Sequence, residues 1–248
     1  MNARTGAVLA ELDQLADPSR RPGMARVGIN VERALGVSIP DLRRLARRHR
    51  PDHSLAIGLW RTGVHEARIL ASMVDDPAQV TPEQMEAWVV GFDSWDLCDQ
   101  VCGNLFEATP FGMKVARAWA RRPEEFVKRA SFALVAEHAV HDRASPDRVF
   151  TAWFPAIRRG AADERNYVKK AVSWSSRSRS TNGVPANRLS SARSAPPVNR
   201  ARAPGAPARD LRRSTLAATP ATSAGTSSSR RGAASRRARA ASGRSLRP

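Results

Sequence analysis

Cysteine is nearly absent, since the 248 residues contain two, Cys98 and Cys102. Two thiols four positions apart on one predicted helix cannot form a disulfide framework, and their types suit a reducing compartment. No run approaches the ~18 apolar residues needed to cross a membrane. Residues 1–15 have an amphipathic helix pattern without the apolar region of a secretory signal. A soluble, cytoplasmic protein is therefore expected. No segment alternates with period two or carries hairpin turn signals, which leaves an all-α class. There is no G-x-S-x-G elbow and no phosphate loop.

Acidic and aromatic residues are also missing from one part of the chain. The formal charge is +18 overall. Residues 1–174 hold 25 Lys+Arg against 22 Asp+Glu, whereas residues 175–248 hold 16 Arg and a single acid, Asp210. All six Trp, all seven Phe and Tyr167 precede residue 175. The first part can bury a core. The Arg-, Ala-, Ser- and Pro-rich remainder lacks the apolar surface to offset the entropy of ordering itself. The expected organisation is an α-helical domain over 1–174 and a disordered tail over 175–248.

The helices are marked by their caps and breaks. A first helix is predicted over 7–16, stopped by Asp17-Pro18 and a basic link over 19–23, and residues 24–36 read as loop or a short helical turn. Ser38-Ile39-Pro40 opens the next, with Leu42, Leu45 and Ala46 as its apolar stripe. Further helices are expected over 54–61, 65–74, 82–90, 113–121, 125–140, 146–157 and 166–174. Helices of this length with short links suit stacked helical pairs of the HEAT type, an α-solenoid, with an ordinary helical bundle as the alternative. An internal echo favours the stack: Phe126-Val127-Lys128-Arg129-Ala130 and Tyr167-Val168-Lys169-Lys170-Ala171 repeat at an offset of 41.

The most informative stretch is Phe92 to Cys102. Asp93 and Ser94 are N-cap types, and Leu97, Cys98, Val101, Cys102, Leu105 and Phe106 fall on one apolar arc. Trp95 and Asp99 lie one turn apart at the edge of that arc, an aromatic face beside a carboxylate. Asp96, in the first turn, has a structural reason to be there in the helix dipole. Asp99 has none, and the plain alternative is a solvated boundary residue.

Arg26-Val27-Gly28-Ile29, His65-Glu66-Ala67-Arg68, Phe92 to Cys102, Glu125 to Ala130 and Asn166 to Trp174, in this order and spacing, resemble the DNA alkylation repair family, the AlkD-like HEAT-repeat DNA glycosylases. The resemblance covers roughly residues 20–174, and Ser94-Trp95-Asp96-Leu97-Cys98-Asp99 is its most telling piece. It implies a cofactor-independent, monomeric enzyme that releases cationic N3- or N7-alkylated purines from duplex DNA without a deep base pocket. It would make Asp99 the catalytic carboxylate, Trp95 and Trp174 the aromatics at the lesion, and Arg129 the basic residue near backbone and carboxylate. Lys128, Lys169 and Lys170 are candidates for phosphate contact.

The chemistry agrees with those roles. An alkylated purine is cationic and leaves neutral, so the transition state resembles a sugar oxocarbenium ion that a carboxylate stabilises while orienting water. Indole faces attract the cationic nucleotide. Each residue also has a structural reading: Arg129 one turn after Glu125 is a favoured ion-pair spacing, and charged helix faces are commonly solvated. A metal site from Cys98-x3-Cys102 and His138-x2-His141 lacks the usual spacing, so no metal is expected. A non-catalytic DNA-binding stack and a general interaction scaffold remain the alternatives.

The resemblance stops at Trp174. The change inside a helix is abrupt, as an out-of-frame reading of a GC-rich gene would produce. A genuine basic tail that binds nucleic acid is the alternative. A row of helices truncated there predicts an exposed apolar edge, a Trp174 on a fraying turn, and reduced stability and activity.

Overall fold

The computed structural model describes residues 2–142 and 144–178, and among these there is helix but no strand. All of the expected tail beyond residue 178 lies outside the described residues. None of the described helices is long and apolar enough to cross a membrane.

The chain opens with α1 (Ala3–Gln14), four residues ahead of its predicted start because the Asn2 side chain accepts the Thr5 N–H and caps it. The basic link is helical, contrary to expectation: a 3₁₀ turn (Pro18–Arg20) leads into α2 (Arg21–Arg26). Pro18 and Pro22 both sit in first turns, where a proline has no hydrogen bond to lose. After a loop, α3 (Ile39–His49) starts at Ser38, whose hydroxyl accepts the Asp41 N–H. Then come α4 (His53–Arg61), α5 (His65–Val74), α6 (Pro82–Val89, capped by Thr81) and α7 (Trp95–Val101).

A π turn, Cys102–Phe106, continues α7, with the Glu107 N–H donating to the Cys102 carbonyl at 2.9 Å. The wide turn still brings Leu105 and Phe106 into the core alongside Leu97, Cys98, Val101 and Cys102, all fully buried. The remaining helices are α8 (Gly112–Trp119), α9 (Glu125–His141), α10 (Asp147–Thr151), α11 (Phe154–Gly160) and α12 (Asn166–Arg177). The single helix expected over 146–157 is two, because Pro155 lacks an N–H and its ring would crowd the carbonyl four residues back. Helix α12 runs three residues past Trp174, and Ser175 and Ser178 are buried. Packing along α9 overrides the weak helix propensity of the serines.

These helices form two rows. In one, Trp60 of α4 stacks on Trp88 of α6, with centroids 4.2 Å apart and planes within 3°. Trp88 meets Phe106, which meets Trp119 of α8 at 6.0 Å, and Arg117 of α8 lies over Trp153 at the head of α11. The other row is α5, α7, α9 and α12, each packed on the next, with α4, α8 and α11 packed on α5, α9 and α12 respectively. This is the pairwise stacking that the echo implies. Phe126 and Tyr167, equivalent positions of the repeat, lie ring against ring at 5.6 Å, and Val127, Val168, Ala130 and Ala171 are all buried.

The last pair closes on Gly160. A Cβ there would stand 2.6 Å from Phe132 Cζ and 2.8 Å from Val172 Cγ2, so only glycine lets α11 approach both α9 and α12. Gly160→Leu is expected to lower stability by about 1–3 kcal/mol through overpacking. A urea titration with an unchanged midpoint would contradict this.

Candidate active site

The second row presents its first turns side by side, and a polar network ties each to the next. His65, at the start of α5, places Nε2 2.8 Å from Asp96 Oδ2, while the Ser94 hydroxyl donates to Asp96 Oδ1 at 2.8 Å. Burial pulls His65 down, but the Asp96 hydrogen bond and charge outweigh it and hold the imidazole above its usual value. Burial pushes Asp96 up, and His65 and Ser94 bring it below the usual carboxylate range. Ser94 occupies the N-cap yet caps no backbone N–H, because its hydroxyl serves Asp96. Asp96 is therefore structural, as its place in the first turn suggests.

The other polar residues of that run on α5 are also tethers. The buried Glu66 carboxylate accepts the N–H groups of Leu35 and Gly36, both at 2.7 Å, and so fixes the loop before α3. Arg68 donates to the Gly91 carbonyl at 3.2 Å, lies 3.8 Å from Asp93 and sits over the Trp60 ring.

Asp99 and Arg129 form the centre of the site. Arg129 Nε donates to Asp99 Oδ1 at 2.9 Å and Nη2 to Oδ2 at 2.7 Å, a bidentate fork from α9 to α7. The third guanidinium nitrogen, Nη1, donates to the Tyr167 carbonyl at the head of α12 at 2.6 Å. The Arg129 side chain is 5% exposed and that of Asp99 19%. Arg129 pairs across the helices with Asp99, in place of the Glu125 partner that its spacing allows. Its guanidinium carbon also stands 5.9 Å from the centroid of Trp95. Burial raises the Asp99 carboxyl above its ordinary value, and the hydrogen bonds and charge of Arg129 pull it back only in part. Burial pulls Arg129 down, but Asp99 more than restores it.

A carboxylate has about four lone-pair positions, and Arg129 takes one on each oxygen. The oriented anion keeps acceptor capacity, and part of its surface remains open. This arrangement can stabilise a cation or direct a water molecule.

The loop after α2 touches this centre, which no periodicity in the sequence indicates. The Trp95 indole N–H donates to the Val27 carbonyl at 3.0 Å, and the Tyr167 hydroxyl donates to the Gly28 carbonyl at 3.3 Å. Asn30 Nδ2 donates to Asp93 at 3.2 Å. Gly28 has φ +80°, and a Cβ on it would lie 1.8 Å from the Tyr167 oxygen. Gly28→Ala is expected to cost about 1–3 kcal/mol and to free the Trp95 ring. The check is indole emission and acrylamide quenching in a protein carrying the substitution.

The other expected site residues are placed differently. Trp174 is partly buried on α12, two turns beyond Tyr167, and packs against the core. Among the described residues no ring contact or hydrogen bond joins its indole to Trp95, Asp99 or Arg129. Lys128 is held by Asp163, with Nζ 3.1 Å from Oδ2, and is not a free cation. Lys169 and Lys170 are exposed, the latter 5.9 Å from the Tyr167 ring centroid. Cys98 and Cys102 are buried thiols facing the Phe126 and Ala130 carbonyls of α9. His138 and His141 lie beside Glu107, and among the described residues no group of three or more ligand types could hold a metal.

A row of helical pairs with an Asp–Arg fork beside a tryptophan describes a class, and comparison with known proteins gives it a family. A family model described as DNA alkylation repair enzyme matches residues 8–183, and the chain belongs to that family. A solved structure described as "a new family of proteins related to the HEAT-like repeat DNA glycosylases with affinity for branched DNA structures" superposes with a TM-score of 0.68 at 18% identity, covering 76% of this chain and 82% of that one. The fold is thus of the HEAT-like repeat kind. Two curated relatives, Uncharacterized protein Lin0241 of Listeria innocua and Uncharacterized protein Lmo0209 of Listeria monocytogenes, are 24% and 23% identical over 106 residues. That match covers 42% of this chain and 47% of each relative, so the chain spans about half of their length.

Proposed function

We propose that the protein is a DNA glycosylase that hydrolyses the N-glycosidic bond of cationic N3- and N7-alkylated purines in duplex DNA, the first step of base-excision repair. The observation that supports this most directly is the Asp99 carboxylate, oriented by Arg129 within a family of DNA alkylation repair enzymes. In this reading Asp99 faces the developing oxocarbenium ion and directs water to it. Trp95 attracts the cationic nucleotide, an interaction worth ~0.5–2 kcal/mol, with Trp174 as a second aromatic contact. Lys169 and Lys170 neutralise phosphates, and Lys128 joins them where DNA displaces it from Asp163. No cofactor is required, because the positive charge on the lesion already weakens the bond that breaks.

The test is release of 7-methylguanine from alkylated duplex DNA by the purified chain. Free base appearing in proportion to enzyme supports the reading, and none under conditions where DNA is bound refutes it. A second reading, a binding protein without catalysis, has its own support. The carboxylate is already engaged by Arg129, the Trp95 face already neighbours that guanidinium, and the similar solved structure is described by affinity for branched DNA. Tight binding of a four-way junction with no base release would establish it.

A further inference from the structure

Away from the Asp99 centre, in the first row of helices, a cleft of about 480 Å³ opens between α8 and α11. Arg117 enters it from α8, Arg121 from the turn that follows α8 and Arg159 from α11, and its wall includes Trp153. The rest of the lining is alanine and proline, without an acidic residue. All three arginines are exposed, and among the described residues no carboxylate pairs with them. Arg122, one residue on, is by contrast paired, bridging Glu86 and Glu124.

Arg121 follows Arg117 in the turn after α8, where its N–H donates to the Ala118 carbonyl, and the two bring charge of one sign to the cleft. Arg117 is also oriented, with its guanidinium carbon 4.9 Å above the Trp153 ring. Trp153 itself is 1% exposed, so the ring that orients Arg117 is fixed in the core. Small side chains keep the cleft open. Guanidinium forks lining one cleft with no acidic residue among them are suited to a phosphate group, which can accept several N–H donors at once.

We propose that this cleft is a second phosphate-binding site, and that it takes a phosphodiester of a nucleic-acid strand. The proposal rests on the reading that the chain binds DNA, but it concerns residues that the Asp99 centre does not use. An open cleft with exposed arginines suits a polymer passing across it better than a small anion sealed within it. It gives the protein a nucleic-acid contact in the row opposite the one that carries Asp99, so a second segment of duplex could be held while the first is inspected.

The experiment uses the full chain and its Arg121→Gln/Arg159→Gln double variant, both side chains being exposed and outside the core. Binding of an undamaged duplex is followed as potassium chloride is raised. Each lost phosphate contact lowers the slope of log K against log salt by about 0.9, so the variant slope should fall by about 0.9–1.8, with weaker binding at low salt. Any contribution of the arginines over 175–248 is common to both proteins and cancels. Equal slopes and affinities, with the wild type binding DNA, overturn the cleft assignment alone. A wild type that binds no DNA even at low salt overturns the DNA reading and this proposal with it. Thermal stabilisation of the wild type but not the variant by millimolar pyrophosphate, with the DNA slopes unchanged, makes the cleft a small-anion site and overturns the phosphodiester assignment.

Discussion

Asp99→Asn is expected to reduce release of 7-methylguanine by about 100-fold or more, the scale of losing a general base or a preorganised charge. Asparagine keeps the shape of the side chain and one acceptor oxygen for Arg129, but it cannot carry the negative charge that opposes an oxocarbenium ion. The Arg129 fork loses one of its two acceptors, so some destabilisation follows, about 1–3 kcal/mol. Single-turnover release and duplex binding are measured on the same preparation. Binding within a few-fold of wild type with release lost is the expected pair of results. Release at the wild-type rate would remove Asp99 from the chemistry.

The second large effect concerns the partner. Arg129→Gln leaves the Asp99 carboxylate, 19% exposed, without its cation, and it leaves the Tyr167 carbonyl without the Nη1 donor. Removing one member of a buried pair costs about 3–5 kcal/mol. The sign of the pH effect follows from the forces on Asp99. Burial already lifts its carboxyl above 3.8, and Arg129 is the group that lowers it. Without Arg129 the carboxyl rises further, so the acid limb of kcat/KM moves to higher pH. Linkage runs in the same direction: a carboxyl raised on folding contributes most below the unfolded value, and that contribution is lost as pH rises through the folded value. The variant should therefore melt relatively better in acid than the wild type does. A pH–rate profile whose acid limb stays in place would show that Asp99 is not the group that titrates.

Much of this arrangement was legible in the residues because it rests on local periodicity. The apolar arc from Leu97 to Phe106 could be read from spacing, and every member of it is buried. The echo between α9 and α12 could be read as well, and it places Phe126 against Tyr167. What spacing could not supply is the partner from another helix. Glu125 lies at the favoured distance from Arg129 along the chain, yet Asp99 wins because α7 and α9 pack side by side and bring the two heads of the fork together. Pro155 signals a helix start as readily as a helix break, and only packing decides between them. The links of Val27 and Gly28 to Trp95 and Tyr167 span long stretches of sequence and involve backbone carbonyls, which leave no mark on composition.

Those two carbonyls have a mechanical consequence. In an open array each unit leans only on its neighbours, and unfolding can begin at either end and spread inward. Here the segment after α2 clasps α12, 139 positions away, so the early part of the chain and the last of the described helices are latched together. Loosening one end releases a tether on the other, and the ensemble is driven toward all-or-none melting.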